Sequence, residues 1–210
     1  MAEVKRFIMN GLESNCYVVS NGNSCYIVDI GGTDIESVKN YIEDSGKELR
    51  GLFLTHGHID HIEGLNLICE AFKGVTVYIG KEDEKFLTDN NLNLAVYFPG
   101  KDFNFKFNSN VKPVQDGDII DEKFEVIETP GHTAGCITIA YKAGNALFTG
   151  DTMFRGTMGR TDLPTGSYSE MWKSLKKLTQ LDEKLVVYPG HGEETDIKSE
   201  KESLFGENNY

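Results

Sequence analysis

A wholly apolar run, Gly51-Leu52-Phe53-Leu54, leads directly into Thr55-His56-Gly57-His58-Ile59-Asp60-His61, so three of the chain's five histidines crowd the end of one short strand. A strand with no polar residue on either face belongs inside a sheet covered on both sides. A fold that opens such a strand onto ionisable groups needs two covering layers and an edge where strands stop and loops begin. The stretch itself has two readings, a metal cage or a polar turn. The rest of the sequence has to decide between them.

The remaining histidines occupy the same kind of place. His132 lies in Thr129-Pro-Gly-His-Thr133, directly after the apolar-rich segment Phe124–Glu128, and His191 lies in Tyr188-Pro-Gly-His-Gly192, directly after Leu185–Tyr188. Pro-Gly ends strand pairing with a rigid turn and exposes the next side chain. Asp151, in Phe148-Thr-Gly-Asp151, again follows an apolar strand, and no histidine is left over. That favours the cage. Along an extended backbone, His56, His58 and Asp60 fall on one side, while His61 points elsewhere unless a turn begins there. The segment Ile62-Glu63-Gly64-Leu65 supplies that turn, so one loop can feed two neighbouring metal positions. Four ligands cannot fill two metal shells, which is why His132, Asp151 and His191 are needed. Imidazole and carboxylate donors suit zinc, and iron and manganese tolerate the same set.

The coarse pattern predicts strands over Lys5–Met9, Cys16–Ser20 and Cys25–Asp29, the last two joined as a hairpin through Asn21-Gly22-Asn23. Thr33-Asp34-Ile35-Glu36 reads as a capping box opening a helix that Gly46 stops, with Ile35, Val38 and Ile42 on one face. A second helix is expected over His61–Phe72, then a strand over Val75–Ile79. The alternation Phe103-Asn-Phe-Lys-Phe107 predicts an amphipathic strand, against a flap near the site or an oligomer contact. Strands Phe124–Glu128, Ile137–Tyr141 and Ala146–Thr149 follow. Ser167-Tyr-Ser-Glu170 caps a helix carrying Met171, Leu175 and Leu178, Leu185–Tyr188 is the last strand, and a polar tail winds over the surface from Glu193. Two halves that each add helices after strands predict an α/β (α+β) fold. Its expected architecture is a four-layered αββα sandwich of two mixed β-sheets flanked by helices, one domain over residues 1–210.

Composition narrows the function. The net charge of −12 argues against a nucleic-acid partner, whose phosphates require clustered Lys and Arg. A small anionic substrate stays open, because a bound dication dominates the field in its own cleft. No apolar run approaches the length of a membrane span, and the first residues lack a secretory pattern, so no membrane partner is expected and the cytoplasm is the expected location. Cys16, Cys25, Cys69 and Cys136 show no C-x-x-C spacing and read as small buried hydrophobes, although Cys16 and Cys25 lie on neighbouring predicted strands.

The ordered motifs HGHIDH, TPGHT, LFTGD and PGHG resemble the metallo-β-lactamase fold superfamily over nearly the whole chain. Gly156-Thr-Met-Gly-Arg160-Thr-Asp162, with the short ending after PGHG, is similar to the compact single-domain hydrolases related to type II glyoxalase, the hydroxyacylglutathione hydrolases. The resemblance implies two divalent metal ions, zinc first, with iron or manganese as alternatives. His56, His58 and His132 would hold one, Asp60, His61 and His191 the other, and Asp151 would bridge them. It also implies thioester hydrolysis by a metal-bound hydroxide, since two cations sharing a water bring its pKa towards neutrality. Asp60 is then both ligand and the carboxylate that orients the nucleophile or takes its proton. The expected partner is a small-molecule thioester or ester; the oligomeric state stays open.

Two departures qualify the resemblance. Glutathione-thioester hydrolases of this type carry a further helical C-terminal domain that supplies much of the glutathione site, and a chain ending about 19 residues after His191 has no room for it. Arg155, Arg160 and Asp162 are the nearest residues for gripping a substrate, with loop-stabilising ion pairs as the equal alternative. The rival reading is a mononuclear iron persulfide dioxygenase of the same fold, which shares the G-R-T-D loop. Those oxygenases resemble P-A-H-D-Y at the last histidine, whereas this chain has Pro189-Gly-His-Gly-Glu193. A phosphodiesterase or nuclease is disfavoured by the acidic charge, and a non-catalytic relative by the complete ligand set.

Overall fold

The computed structural model describes residues 3–10, 12–107 and 110–206. Strands β1 (Glu3–Ile8), β2 (Asn15–Asn21) and β3 (Ser24–Val28) form an antiparallel meander. Helix α1 (Glu36–Ser45) then crosses over to β4 (Glu48–Leu54), which runs parallel to β3, followed by α2 (Ile59–Ile62), α3 (Leu65–Ala71) and the parallel strand β5 (Thr76–Gly80). A 3-10 turn over Lys81–Leu87 leads to β6 (Val111–Val114), which completes a mixed six-stranded sheet in sequential order.

The second half builds β7 (Ile119–Ile120), β8 (Phe124–Glu128), β9 (Ile137–Tyr141) and β10 (Ala146–Gly150), then a small hairpin of β11 (Met153–Phe154) and β12 (Thr157–Met158). Helix α4 (Tyr168–Leu178), β13 (Val186–Pro189), β14 (Thr195–Asp196) and α5 (Ile197–Phe205) follow. The second sheet has the order β14-β13-β10-β9-β8-β7, with β10 and β13 its parallel pair.

Side-chain alternation shows the four layers. In the first sheet Val18, Ile27, Leu52, Leu54, Val77 and Ile79 pack against Val38, Ile42, Leu65 and Ile68 of the helices. Their neighbours Tyr17, Val19, Tyr26, Val28, Phe53 and Tyr78 point the other way, into a core shared with Phe124, Val126, Ile139 and Phe148 of the second sheet. The far face of that sheet presents Ile127, Leu147 and Val187 to Met171, Leu175 and Leu178 of α4 and Ile197 of α5. The apolar run Leu52-Phe53-Leu54 thus serves two cores at once, as a centrally placed strand must. The αββα sandwich of two mixed sheets is the observed architecture.

Several local expectations are corrected. Helix α1 begins at Glu36 with Ile35 at the N-cap and no side-chain cap; Asp34 N instead donates to Asn10 Oδ1 at 3.4 Å, so Thr33 opens no capping box. The single helix expected over His61–Phe72 is broken into α2 and α3 around Gly64, whose N–H donates to Ile30 O rather than continuing α2. Phe103–Phe107 forms no strand: Phe105 N donates to Leu87 O, and Phe103 and Phe105 fill the first core from an irregular segment. The polar tail is structured as β14 and α5, capped by Asp196 accepting from Ser199 N at 2.8 Å. Ser167 does cap α4, accepting from Glu170 N, a contribution of about 1 kcal/mol. Register pairs Cys25 with Ser20, so Cys16 and Cys25 do not face each other; all four thiols are buried and free. Among the described residues no helix is long and apolar enough to cross a membrane.

Candidate metal centre

All seven candidate ligands lie just past strand ends at one edge of the sandwich. His56 and His58 follow β4, His132 lies between β8 and β9, Asp151 follows β10, and His191 follows β13. Helix α2 starts at Ile59, with His58 extended at its N-cap (φ −71, ψ 150). The turn therefore comes before Asp60, not at His61. That places Asp60 with His61 on the helix, away from the His56/His58 side where simple alternation puts it.

Three donor groups result: His56, His58 and His132; His56, His61 and Asp151; and Asp60, His61 and His191, each with its donor atoms within 4.8 Å of one another. His58 Nδ1 lies 2.8 Å from His132 Nε2, and His191 Nε2 lies 3.2 Å from Asp60 Oδ2. Asp151 stands between, with Oδ1 3.4 Å from His61 Nε2 and Oδ2 3.6 Å from His132 Nε2. On three of the rings the nitrogen that points away from the centre is held by the protein, whereas His58 Nε2 is buried without a partner. His56 Nδ1 lies 3.1 Å from Thr55 Oγ1, His61 Nδ1 2.9 Å from Asp29 Oδ2, and His132 Nδ1 2.7 Å from the Arg160 carbonyl.

Three of the inward atoms are not satisfied by the protein. His56 Nε2, His61 Nε2 and Asp151 Oδ1 are buried without a hydrogen-bond partner. Orphaned buried polar atoms cost about 1–3 kcal/mol each, so their convergence calls for a further group that all of them can reach. A divalent cation fits an imidazole and carboxylate set of this kind. Electrostatics agree for His56 and His58, whereas at His61 and His191 burial is outweighed by the surrounding carboxylates, which raise both and favour their protonated forms. Burial, followed by the neighbouring rings of His61 and His132, drives the His56 pKa well below its ordinary value, and burial with His132 lowers His58 to about 3. Both imidazoles are thus held neutral with lone pairs free. Burial would raise the Asp60 pKa, but His61, His191 and His58 overcome it and keep the carboxyl well below the usual range.

The centre opens into a cavity of about 360 Å³, lined by His58, Asp60, His132, Asp151 and His191 with Leu12, Leu94, Phe98, Phe154 and Leu163 around them. A depression of about 380 Å³ beside Lys81 and Glu84 is as large but has no histidine in its lining, so chemistry and not volume selects between them. Arg160 also lines the cleft, its guanidinium paired to Asp162 (Nε to Oδ1 2.7 Å, Nη2 to Oδ2 2.8 Å). Arg155 is exposed and outside the cavity lining.

Sequence reasoning passed over two carboxylates. Asp29 accepts from Thr55 N (2.8 Å) and Thr55 Oγ1 (2.7 Å) as well as facing His61. Asp83 accepts from Gly57 N (2.9 Å), Thr133 Oγ1 (2.7 Å) and Gly135 N (2.8 Å). An Asp directly after the apolar strand β3 was a usable signal for the first. Asp83, in the charged segment Lys81-Glu-Asp-Glu-Lys85, carried none.

The chain matches the family model described as Metallo-beta-lactamase superfamily over residues 9–191. It is 31% identical over 209 residues to "Hydroxyacylglutathione hydrolase GloC" of Haemophilus influenzae, covering 93% of each chain. The fold superposes on BLEG-1, a B3 metallo-beta-lactamase, with a TM-score of 0.89 at 28% identity, covering 98% of this chain and 100% of that one. It also superposes on TTHA1623 in a di-iron-bound form (TM-score 0.85, 28% identity, 95% and 98% coverage). Since one family model spans the region from the first sheet to the last candidate ligand, the chain belongs to the metallo-beta-lactamase superfamily.

Proposed function

We propose that this chain is a dinuclear metal-dependent hydrolase that cleaves small hydroxyacyl thioesters of the hydroxyacyl-glutathione type. The observation that carries the reading is the convergence of two complete donor groups, His56/His58/His132 and Asp60/His61/His191, on either side of Asp151 at the floor of one cleft. Asp151, with Oδ1 near His61 and Oδ2 near both His132 and His191, would be the carboxylate shared by the two groups. Two divalent cations held there supply a nucleophile at neutral pH and a Lewis acid for the carbonyl. Zinc is the first candidate for both positions, with iron the alternative suggested by the similar chain in its di-iron-bound form.

The chain's own residues do the rest. Asp60 faces the cleft and its neighbouring histidines favour the carboxylate form, which suits it to orient the attacking water more than to take its proton. Leu12, Phe98, Phe154 and Leu163 exclude bulk water from the acyl group and strengthen each polar contact beneath it. A thiolate leaves readily, so no separate acid is required. Arg160, at the rim, is the candidate for holding a substrate carboxylate. Arg155 would contribute only with a substrate that reaches beyond the cleft. The similarity to GloC supports the thioester class. Four free thiols fit a reducing compartment, in keeping with a cytoplasmic enzyme.

The test pairs metal analysis of purified protein with turnover of lactoyl-glutathione and of glutathione persulfide. Two cations per chain with thioester cleavage are expected, and His58→Ala or Asp151→Ala should abolish turnover and reduce bound metal while the fold persists. One iron per chain with oxygen uptake on the persulfide would replace this reading with the dioxygenase.

A further inference from the structure

The two donor groups are braced by different parts of the fold. His191 is held through its neighbours' carbonyls: Asn15 N donates to Gly190 O (2.7 Å), Asn15 Nδ2 to Pro189 O (3.0 Å) and Gly192 O (2.9 Å), and Tyr17 OH to Pro189 O (2.7 Å). Asp60 and His61 are fixed by α2 and by the Asp29 carboxylate. The other group draws His56 and His58 from the loop after β4 and His132 from the loop after β8. Something must set the distance between those two loops, because His58 Nδ1 and His132 Nε2 approach to 2.8 Å from opposite sheets.

Asp83 joins them. Its side chain is fully buried, and it takes one donor from between His56 and His58 (Gly57 N) and two from the segment after His132 (Thr133 Oγ1 and Gly135 N). The second loop is pressed hard on the 3-10 turn: a Cβ at Gly135 would lie 2.4 Å from Asp83 N and 2.6 Å from Asp83 Oδ1. A carboxylate is the one side chain of this length that accepts from three converging donors without offering a hydrogen to any of them. None of the contacts that hold Asp60, His61 or His191 involves Asp83.

We propose that Asp83 is a positioning residue that locks together the two loops of the His56/His58/His132 group and so governs cation binding at that position alone. The inference rests on the dinuclear reading above. It gives the His56/His58/His132 position a support that the other does not share, so that this position can be weakened without the other.

Asp83→Asn keeps the volume but turns an N–H toward either Gly57 N or Gly135 N, which releases one loop. Zinc titrated into chelator-treated protein, with stoichiometry read by elemental analysis and cobalt(II) spectra read in parallel, is the test. The wild type should show two binding steps. In Asp83→Asn one step should weaken about 10- to 100-fold and the other by no more than about threefold, the range expected for an outer-shell partner. Thr133→Val, which removes only one of the three donors, should weaken the same step less, and covers the case in which Asp83→Asn does not fold. The position is identified by combination. In a His191→Ala background, Asp83→Asn should remove the remaining high-affinity cation; in a His58→Ala background it should change nothing further. Equal losses in both backgrounds, or no loss in either, would overturn the proposal. A wild-type chain that binds fewer than two cations would overturn the dinuclear reading, and the selectivity with it.

Discussion

His61 Nδ1 lies 2.9 Å from Asp29 Oδ2, and both side chains are buried. The same carboxylate receives Thr55 N and Thr55 Oγ1, next to His56, so one aspartate at the end of β3 orients a ring in each donor group. Such a carboxylate fixes the tautomer and raises the basicity of the nitrogen that faces a metal. Asp29→Asn should therefore lower cation affinity about 10- to 100-fold at nearly unchanged volume. Competition against a coloured chelator measures this directly. Unchanged affinity would reduce Asp29 to a bracket for Thr55.

Protons compete with cations for His61. Burial opposes its charge, yet the carboxylates of Asp60, Asp151 and Asp29 outweigh that and push its pKa up to about 10. A metal needs the free lone pair, so loading near pH 7 must expel this proton, and cation affinity rises with pH below about 10, by about tenfold per unit for each proton released. Calorimetric titration in two buffers of different ionisation enthalpy reads the number of protons. Equal heats in the two buffers would mean that His61 is already neutral before the metal arrives.

Arg160 has two separable parts. Its carbonyl accepts from His132 Nδ1, while its exposed guanidinium pairs with Asp162 at the cleft rim. Arg160→Ala keeps the first and removes the second. Solvent screens an exposed pair, so the melting temperature and metal content should stay as they are. If the guanidinium binds a substrate carboxylate, KM should rise about 3- to 10-fold with kcat little changed, the signature of lost uniform binding. Unaltered kinetics would leave Arg160 and Asp162 as loop stabilisers.

The convergence of the candidate set was legible because its chemistry depends on residue type and on strand ends, both of which a sequence carries. His56, His58, His132, Asp151 and His191 each follow an apolar segment that could hardly be anything but a strand. What failed depended on tertiary contacts. Phe103-Asn-Phe-Lys-Phe107 alternates like a strand, but its phenylalanines fill a core from irregular backbone, where Leu87 O takes the Phe105 N–H. Helix α5 looks in the sequence like a polar surface tail because its apolar contacts are few, through Ile197, Leu204 and Phe205; it is also held by the buried Glu200, which accepts from Gly156 N and Thr195 Oγ1. Asp83 lay among surface-like charges, and only the approach of two distant loops gives it a role.

Gly190 offers a test of the centre that spares every ligand. Its N–H donates to Gly150 O (2.8 Å) and its carbonyl accepts from Asn15 N (2.7 Å), so the backbone is pinned on both sides. A Cβ there would lie 2.2 Å from Asp151 Oδ1 and 2.8 Å from His61 Cε1. Gly190→Ala thus drives a methyl group between two proposed ligands, and the pinned backbone cannot retreat. Overpacking of this kind costs about 1–3 kcal/mol, which the chain should survive with a melting temperature lower by several degrees. The metal centre should not survive: at least one cation per chain should be lost and turnover should fall about 100-fold or more, as when the reacting geometry is displaced by an ångström. Elemental analysis and activity on the same folded sample decide it. A Gly190→Ala protein with full metal content and activity would mean that Asp151 and His61 do not hold the cations from the positions they occupy beside Gly190.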